Sequence, residues 1–177
     1  MGGVVSYFWQ GESPDIDIPD EGTGLSLRDK QNIRKTWSIV QKDLKGNGIE
    51  LFVRLFEEYP EYRKLFKSLA NIPWDQLRDS KKLEVHAMSV MYAISSLVDS
   101  LDDVSCLIEL LKKTGENHRR HRTTVEQFEN LAVVMVNMLQ DVLGSYITLS
   151  AVDSWKKALA VMINIIKEGL GNTENDN

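Results

Sequence analysis

The chain has 177 residues, of which 42% are hydrophobic and 27% are charged, and it carries a formal net charge of −5 with a pI near 5.3. This length predicts one domain with a sizeable core, and the acidic balance argues against general nucleic-acid binding. No apolar run approaches the roughly 18–20 residues that span a bilayer, and the single cysteine, Cys106, excludes an internal disulfide and fits a cytoplasmic protein.

The first 24 residues differ in composition from the rest of the chain. They contain Pro14, Pro19, several glycines and an acidic stretch from Asp15 to Glu21, a mixture that buries too little apolar surface to order itself. Residues 1–24 are therefore predicted to be a flexible extension. The domain is predicted to occupy residues 25–171, and the polar residues 172–177 a disordered C-terminal tail.

The start of this extension fits a lipidation pattern. In residues 1–6, MGGVVS, Gly2 becomes the N-terminal residue after Met removal and Ser6 occupies the position that N-myristoylation requires. One acyl chain anchors weakly, but the run Tyr7-Phe8-Trp9 that follows favours the bilayer interface. This interpretation places the protein on the cytoplasmic face of a membrane, and otherwise in the cytoplasm. The alternative is an unmodified tail whose aromatic side chains dock on the domain or on a partner.

The next segments predict helices separated by short breaks. Ser26, with Asp29 three residues later, forms a variant of the capping box that begins a helix. Apolar residues then recur at helical spacing: Ile33, Trp37, Val40 and Leu44. Gly46 and Gly48 interrupt this pattern and start a second helix that ends near Pro60. Residues 67–80 contain Pro73 and are predicted to form a loop with short helical pieces.

Two long helices with one apolar stripe each close the predicted domain. The first stripe consists of Val125, Phe128, Leu131, Ala132, Met135, Met138, Leu139 and Val142. The second consists of Trp155, Leu159, Met162, Ile163 and Ile166 and stops near Gly169 and Gly171. No segment alternates with the period of a strand, so the predicted fold class is all-α.

Two histidines in separate predicted helices carry the chemistry. His86 lies on an apolar face with Ala87 and Val90, and His118 ends an apolar helix that contains Cys106, which is predicted to pack there. Two imidazoles that face each other across apolar walls are suited to a haem iron, because one holds the metal and the other meets a ligand or binds the iron. The alternative is a pair of hydrogen-bonded core histidines. A zinc site at His118 and His121 is disfavoured because no cysteine or carboxylate lies nearby at ligand spacing.

From about Ser26 to Gly169 the chain resembles a globin. The landmarks occur in globin order and at plausible spacing: Trp37, the segment 51–60 (LFVRLFEEYP), Phe66 six residues after Pro60, His86, Val90, His118, Phe128 and Trp155. The resemblance implies a globin fold of about eight helices around a pocket for haem b, iron protoporphyrin IX. It assigns His118 as the proximal iron ligand and His86 to the distal side.

The same resemblance assigns the other pocket residues. Phe66 is expected to stack on the porphyrin, Val90 to crowd the distal side and Phe52 to overhang the bound ligand. Phe128, and with less support Leu131 and Leu159, are expected at a haem edge. His121, in the basic cluster 118–122, either pairs with haem propionates or belongs to a solvated helix end, where the helix dipole favours positive charge.

Three functions remain open at this point. The first is reversible binding of oxygen, carbon monoxide or nitric oxide, with bis-histidyl iron in the gas-free protein. The second is a redox enzyme or electron carrier, served by a reductase, that reduces an oxidant such as nitrite or protects lipids. The third is an adapter that has lost haem, which the retained histidines and Phe66 argue against. The N-terminal pattern resembles that of membrane-anchored globins of the globin X type and similar invertebrate proteins, although the second acylated cysteine that these often carry near Gly2 is missing here.

Overall fold

The computed structural model describes residues 15–171 of the chain. Seven α-helices lie in this part: α1 (Leu27–Val40), α2 (Leu44–Glu58), α3 (Trp74–Leu77), α4 (Lys81–Asp99), α5 (Val104–Arg119), α6 (Val125–Leu143) and α7 (Leu149–Leu170). Three 3₁₀ segments connect some of them: Gln41–Asp43, Pro60–Leu65 and Gly144–Tyr146. Within residues 15–171 the β-structure is limited to an isolated bridge between Pro19 and Ser26. The predicted all-α fold class is therefore confirmed. None of the described helices is long and apolar enough to cross a membrane.

Helix α1 begins at the predicted capping box. The Ser26 hydroxyl accepts a hydrogen bond from the Asp29 backbone N–H at 3.1 Å, and the Asp29 carboxylate accepts one from the Ser26 N–H at 3.1 Å. Both residues are buried. The reciprocal bonds satisfy donors that a helix N-terminus leaves without partners, so the sequence fixes this boundary locally.

Two tryptophans at the centre of the core connect three helices. The rings of Trp37 in α1 and Trp155 in α7 pack with their centroids 5.7 Å apart. The Trp37 indole N–H donates to Ser95 Oγ of α4 at 3.0 Å, and the Trp155 indole N–H donates to Thr36 Oγ1 at 2.9 Å. Both buried N–H groups have hydrogen-bond partners. The packing of the two rings therefore stabilises the core without leaving a buried polar group unsatisfied.

The start of α2 differs from the prediction. Asp43 caps the helix by accepting a hydrogen bond from the Gly46 N–H at 2.8 Å, so the helix begins at Leu44 and not at Gly46. A Cβ on Gly48 would lie 2.8 Å from the Met91 side chain of α4. Glycine at this position therefore permits the close approach of α2 to α4.

Residues 15–24, assigned from the sequence to the flexible extension, pack against the helices. The Arg28 N–H donates to the Ile16 carbonyl at 3.0 Å, and Asp20 pairs with the buried Lys30 of α1 at 2.9 Å. These partners lie several residues away in the sequence, so composition alone gives no sign of them. Residues 1–14, with the lipidation pattern, and residues 172–177, with the predicted tail, lie outside the described residues.

Candidate metal-ligating histidine pair

His86 projects from α4 into a cluster of aromatic rings. Its imidazole centroid lies 4.9 Å from that of Phe52 in α2 and 5.0 Å from that of Phe66, and both contacts are edge-on. The side chain is half-buried, and within residues 15–171 it makes no hydrogen bond. The structure thus brings His86, Phe52 and Phe66 together in an apolar setting that leaves the ring nitrogens of His86 available.

A third phenylalanine completes this cluster. The ring of Phe56, one turn after Phe52 in α2, lies 5.1 Å from that of Phe66 and 5.9 Å from that of Phe52. Phe56 is 1% exposed, so it supports the two rings from the core side. Phe56 lies in the segment that resembles a globin, but no role was assigned to it from the sequence. Its spacing of four residues from Phe52 was the available signal.

His118, at the end of α5, is held by the helix that carries it. Its Nδ1 lies 2.8 Å from the carbonyl oxygen of Thr114, one turn earlier, so a proton on Nδ1 is donated to that oxygen. The Phe128 ring of α6 packs edge-on against the imidazole at a centroid distance of 5.1 Å. This arrangement leaves Nε2 as the nitrogen that can bind a metal.

The position of α5 depends on its contact with α7. A Cβ on Gly115, one turn before His118, would collide with the Ile166 carbonyl oxygen and lie 2.8 Å from the Leu170 nitrogen. A Cβ on Gly169 would collide with the Lys112 carbonyl oxygen. The two helices thus touch backbone to backbone at these glycines, and α4 packs chiefly against α2. The two histidines accordingly lie on helices that have different main packing partners.

Electrostatics favours the neutral form of His86. Burial lowers the pKa of its imidazole, and the positive charge of a protonated His118 lowers it further. A neutral imidazole retains a lone pair on one ring nitrogen, which is the form that binds a metal.

The remaining residues assigned to the pocket are distributed more widely. Val90, Phe128 and Leu131 are partly buried against the core. Leu159 also packs on the core, but it lines a groove on the outer side of α6 and α7. His121 is exposed beyond the end of α5, which agrees with the solvated helix end. Gly2 lies outside the described residues.

Cys106 was expected to pack within its helix, and the structure corrects this expectation. Its side chain is exposed near the start of α5, where the Ser100 hydroxyl donates to Sγ at 3.7 Å. The apolar face of α5 is formed instead by residues such as Leu107 and Leu111, and Cys106 falls on the other side of the helix.

The donor set fits a haem better than a metal bound by side chains alone. Within residues 15–171 no group of three or more His, Cys, Asp or Glu side chains could hold a metal ion. Two histidines are too few side chains to hold a metal ion alone, whereas an iron carried by a porphyrin would need only one or two protein ligands. The aromatic surface of Phe52, Phe66 and Phe128 suits the apolar faces of such a ring.

Comparison with known proteins identifies the family of this chain. The globin family model matches residues 49–166. A globin from Nerita albicilla is 30% identical over 152 residues, which cover 86% of this chain and 95% of the relative. A neuroglobin from Dissostichus mawsoni is 30% identical over 147 residues, which cover 82% of this chain and 92% of the relative.

A solved structure has the same fold. It is a hexacoordinated haem protein from an anhydrobiotic tardigrade, determined at pH 4, and it superposes with a TM-score of 0.80 at 27% identity. The match covers 86% of this chain and 99% of the tardigrade chain. The chain described here belongs to the globin family.

Proposed function

We propose that the protein binds haem b between α4 and α5 and uses it to bind oxygen, carbon monoxide or nitric oxide reversibly. The observation that carries the proposal is the histidine pair. His118 has Nδ1 at a backbone carbonyl, and His86 lies among aromatic rings without a hydrogen bond in the described chain. When bound, the haem supplies an iron atom to which diatomic gases bind. His118 Nε2 would hold that iron from the proximal side.

We further propose that His86 binds the iron when no gas is present, which makes the gas-free protein six-coordinate. Within residues 15–171 His86 has ring contacts with Phe52 and Phe66 and makes no hydrogen bond, so a small rotation of its side chain costs no hydrogen bond there. The hexacoordinated state of the tardigrade relative supports the same arrangement. A gas would then have to displace His86, and its apparent affinity would fall with the fraction of pocket that is open.

Electron transfer is the second candidate function, and it is favoured by the availability of two imidazoles, those of His118 and His86, as iron ligands. Iron that keeps two protein ligands changes its oxidation state with little rearrangement, a property that suits exchange of electrons with a reductase or an oxidant such as nitrite.

Tethering to the cytoplasmic face of a membrane, through acylation of Gly2 and the aromatic run Tyr7-Phe8-Trp9, also belongs to this proposal. It rests on the sequence of residues 1–9 alone.

Gas titration of the reduced, haem-loaded protein separates the two functions. Gas binding requires a change in the absorption spectrum with oxygen and with carbon monoxide that reverses when the gas is removed. If oxygen only oxidises the iron, while nitrite consumes reducing equivalents catalytically, the redox function is supported and oxygen carriage is refuted.

A further inference from the structure

The outer side of α6 and α7 carries an apolar groove with a volume of about 360 Å³. Its apolar lining comes from three residues of each helix: Ala132, Val133, Val136, Leu159, Ala160 and Ile163. Lys156 and Glu129 supply the charged rim. Val133 remains 52% exposed. The volume falls within the range of pockets that hold a small ligand or a pair of aromatic side chains, and the groove is separate from the two histidines and from any haem chemistry.

The described chain begins beside the first turns of α7. Asp17 pairs with Arg28 at the start of α1 at 2.6 Å. One turn further along α1, Asn32 donates to Ser150 Oγ and Ser154 Oγ of α7, each at 3.1 Å. Asp29 pairs with Lys157 at 3.3 Å. Residues 1–14 therefore join the domain beside the contact of α1 with α7, and Lys156 of the groove rim directly precedes Lys157 of that contact.

The segment outside the described residues has the chemistry and the reach to fill this groove. It contains the apolar cluster Val4, Val5, Tyr7, Phe8 and Trp9. Trp9 precedes Asp15 by six residues, which span up to about 20 Å when extended. Lys156 and Ile163 of the groove wall are seven residues apart on α7, or roughly 10 Å along a helix, so the extended segment is longer than this wall. Glu12, between Trp9 and Asp15, is of opposite charge to Lys156.

We propose that the aromatic run Tyr7-Phe8-Trp9 docks into the groove between α6 and α7 of its own chain. The docked rings cover the exposed apolar surface of Val133 and Ala160. This docking needs neither haem nor acylation of Gly2. It competes with insertion of the same rings into a membrane, so the groove serves as a storage site for the anchor when the protein is off the membrane.

Fluorine NMR of the full-length chain labelled with fluorotryptophan tests the docking. The Trp9 resonance is identified by its absence in Trp9→Phe. In the wild type it should differ from that of a synthetic peptide of residues 1–14, and it should show a reduced solvent isotope shift. Ala160→Arg, which places a charged side chain at an exposed groove position, should move the resonance to the peptide value. Ala93→Arg, at an exposed position of α4, is the matched control and should leave it unchanged.

Two results would overturn the proposal. One is a Trp9 resonance that equals the peptide value in the wild type and does not respond to Ala160→Arg. The other is a wild-type dimer that Ala160→Arg converts to a monomer with the Trp9 resonance unaltered, since the groove would then be an interface between two copies. Vesicle binding tests the competition between the groove and a membrane for the aromatic run. Neutral phosphatidylcholine vesicles should bind Ala160→Arg several-fold more than the wild type, because the aromatic run is released from the groove. Equal binding of the two proteins would contradict this competition.

Discussion

The two histidines of the site differ in what holds them. The Thr114 carbonyl fixes His118 through Nδ1, whereas His86 makes edge-on contacts with Phe52 and Phe66 and no hydrogen bond within residues 15–171. A hydrogen bond defines the orientation of an imidazole, and edge-on ring contacts permit several orientations at similar energy. This asymmetry suits a fixed proximal ligand and a distal ligand that moves to and from the iron.

Replacing His86 should therefore open the distal side. We expect His86→Leu to give a five-coordinate ferrous protein when no gas is present. If His86 occupies the iron about nine-tenths of the time, carbon monoxide should bind on the order of tenfold faster to the variant. Flash photolysis measures this rate. Val85→Leu, at a neighbouring position of α4 that is 66% exposed, is the control and should behave like the wild type. An unchanged rate in His86→Leu would show that His86 does not block the iron.

Arg63 positions the segment that follows Phe66. Its guanidinium donates to the carbonyl oxygens of Leu69, at 3.0 Å, of Ala70, at 3.2 Å, and of Ile72. The N–H groups of Leu69 and Ala70 in turn donate to the Phe66 carbonyl at 2.7 and 3.0 Å. One side chain thus fixes the turn that sets the Phe66 backbone.

We expect Arg63→Gln to loosen this turn. Hydrogen bonds to a charged donor contribute about 1.5–3 kcal/mol, so the variant should unfold at lower urea concentration. Amide exchange at Leu69 and Ala70 should quicken more than exchange in α7. Lys64→Gln removes a charge at the next, exposed position and should change neither quantity. Similar amide protection in both variants would exclude this positioning role.

At the level of helices, the contact of α5 with α7 determines where His118 lies. Gly115 and Gly169 allow the two backbones to touch, and any side chain at either position meets a carbonyl oxygen of the opposite helix. Such an oxygen cannot move aside as the end of a flexible side chain can. The helices must separate to accept a Cβ, and His118 lies one turn from the contact.

The variant Gly115→Ala distinguishes the effect of the close α5–α7 contact on stability from the effect of helix propensity. Propensity alone predicts that alanine stabilises a helix interior by up to about 1 kcal/mol. We expect the opposite, a loss of about 1–3 kcal/mol in the free energy of unfolding, because the added methyl group overpacks the contact. Gly169→Ala should behave in the same way. Equilibrium urea unfolding gives the sign, and a stabilised Gly115→Ala variant would refute the close contact.

The sequence predicted the helices well where local signals define them. The capping box of Ser26 and Asp29, the break at Pro60 and the short helix within residues 67–80 are all present. The approach of Gly115 to Gly169 could not be predicted, because it joins residues far apart in the chain and a glycine within a helix has no single interpretation. For the same reason, the pattern that placed Leu159 in an apolar stripe did not reveal its position in the outer groove.

For the whole molecule, two carboxylates connect segments that are distant in the chain: Asp20 joins residues 15–24 to α1, and Asp29 of α1 contacts α7. Burial alone would raise the pKa of Asp20, but hydrogen bonds from Thr23 and from Lys30 outweigh it and lower the value to about 2. Burial likewise opposes ionisation of Asp29, but hydrogen bonds from Ser154 and Ser26 outweigh it and lower its pKa. Composition made residues 15–24 look like a free tail because Lys30, the partner of Asp20 in α1, lies ten residues away in the sequence.

These lowered pKa values predict how stability depends on pH. The stabilisation from Asp20 is present above its unfolded pKa, near 3.9, and is lost as the pH falls through the folded value of about 2. Unfolding free energies should therefore fall from about pH 5 to about pH 2, and the fall should be smaller in Asp20→Asn. Glu21→Gln, an exposed carboxylate of the same segment, is the control. Parallel pH profiles for Asp20→Asn and the wild type would exclude the contribution of Asp20.

The absorption spectrum of the ferrous protein without gas, compared between the wild type and His118→Ala, tests the central proposal most directly. The wild type should bind one haem per chain, with a sharp Soret band and the split visible bands of low-spin, six-coordinate iron. His118→Ala, in which the proximal nitrogen is lost, should keep its helical circular dichroism but lose that spectrum. Normal haem content and an unchanged spectrum in His118→Ala would contradict the proposal that iron is held between His118 and His86.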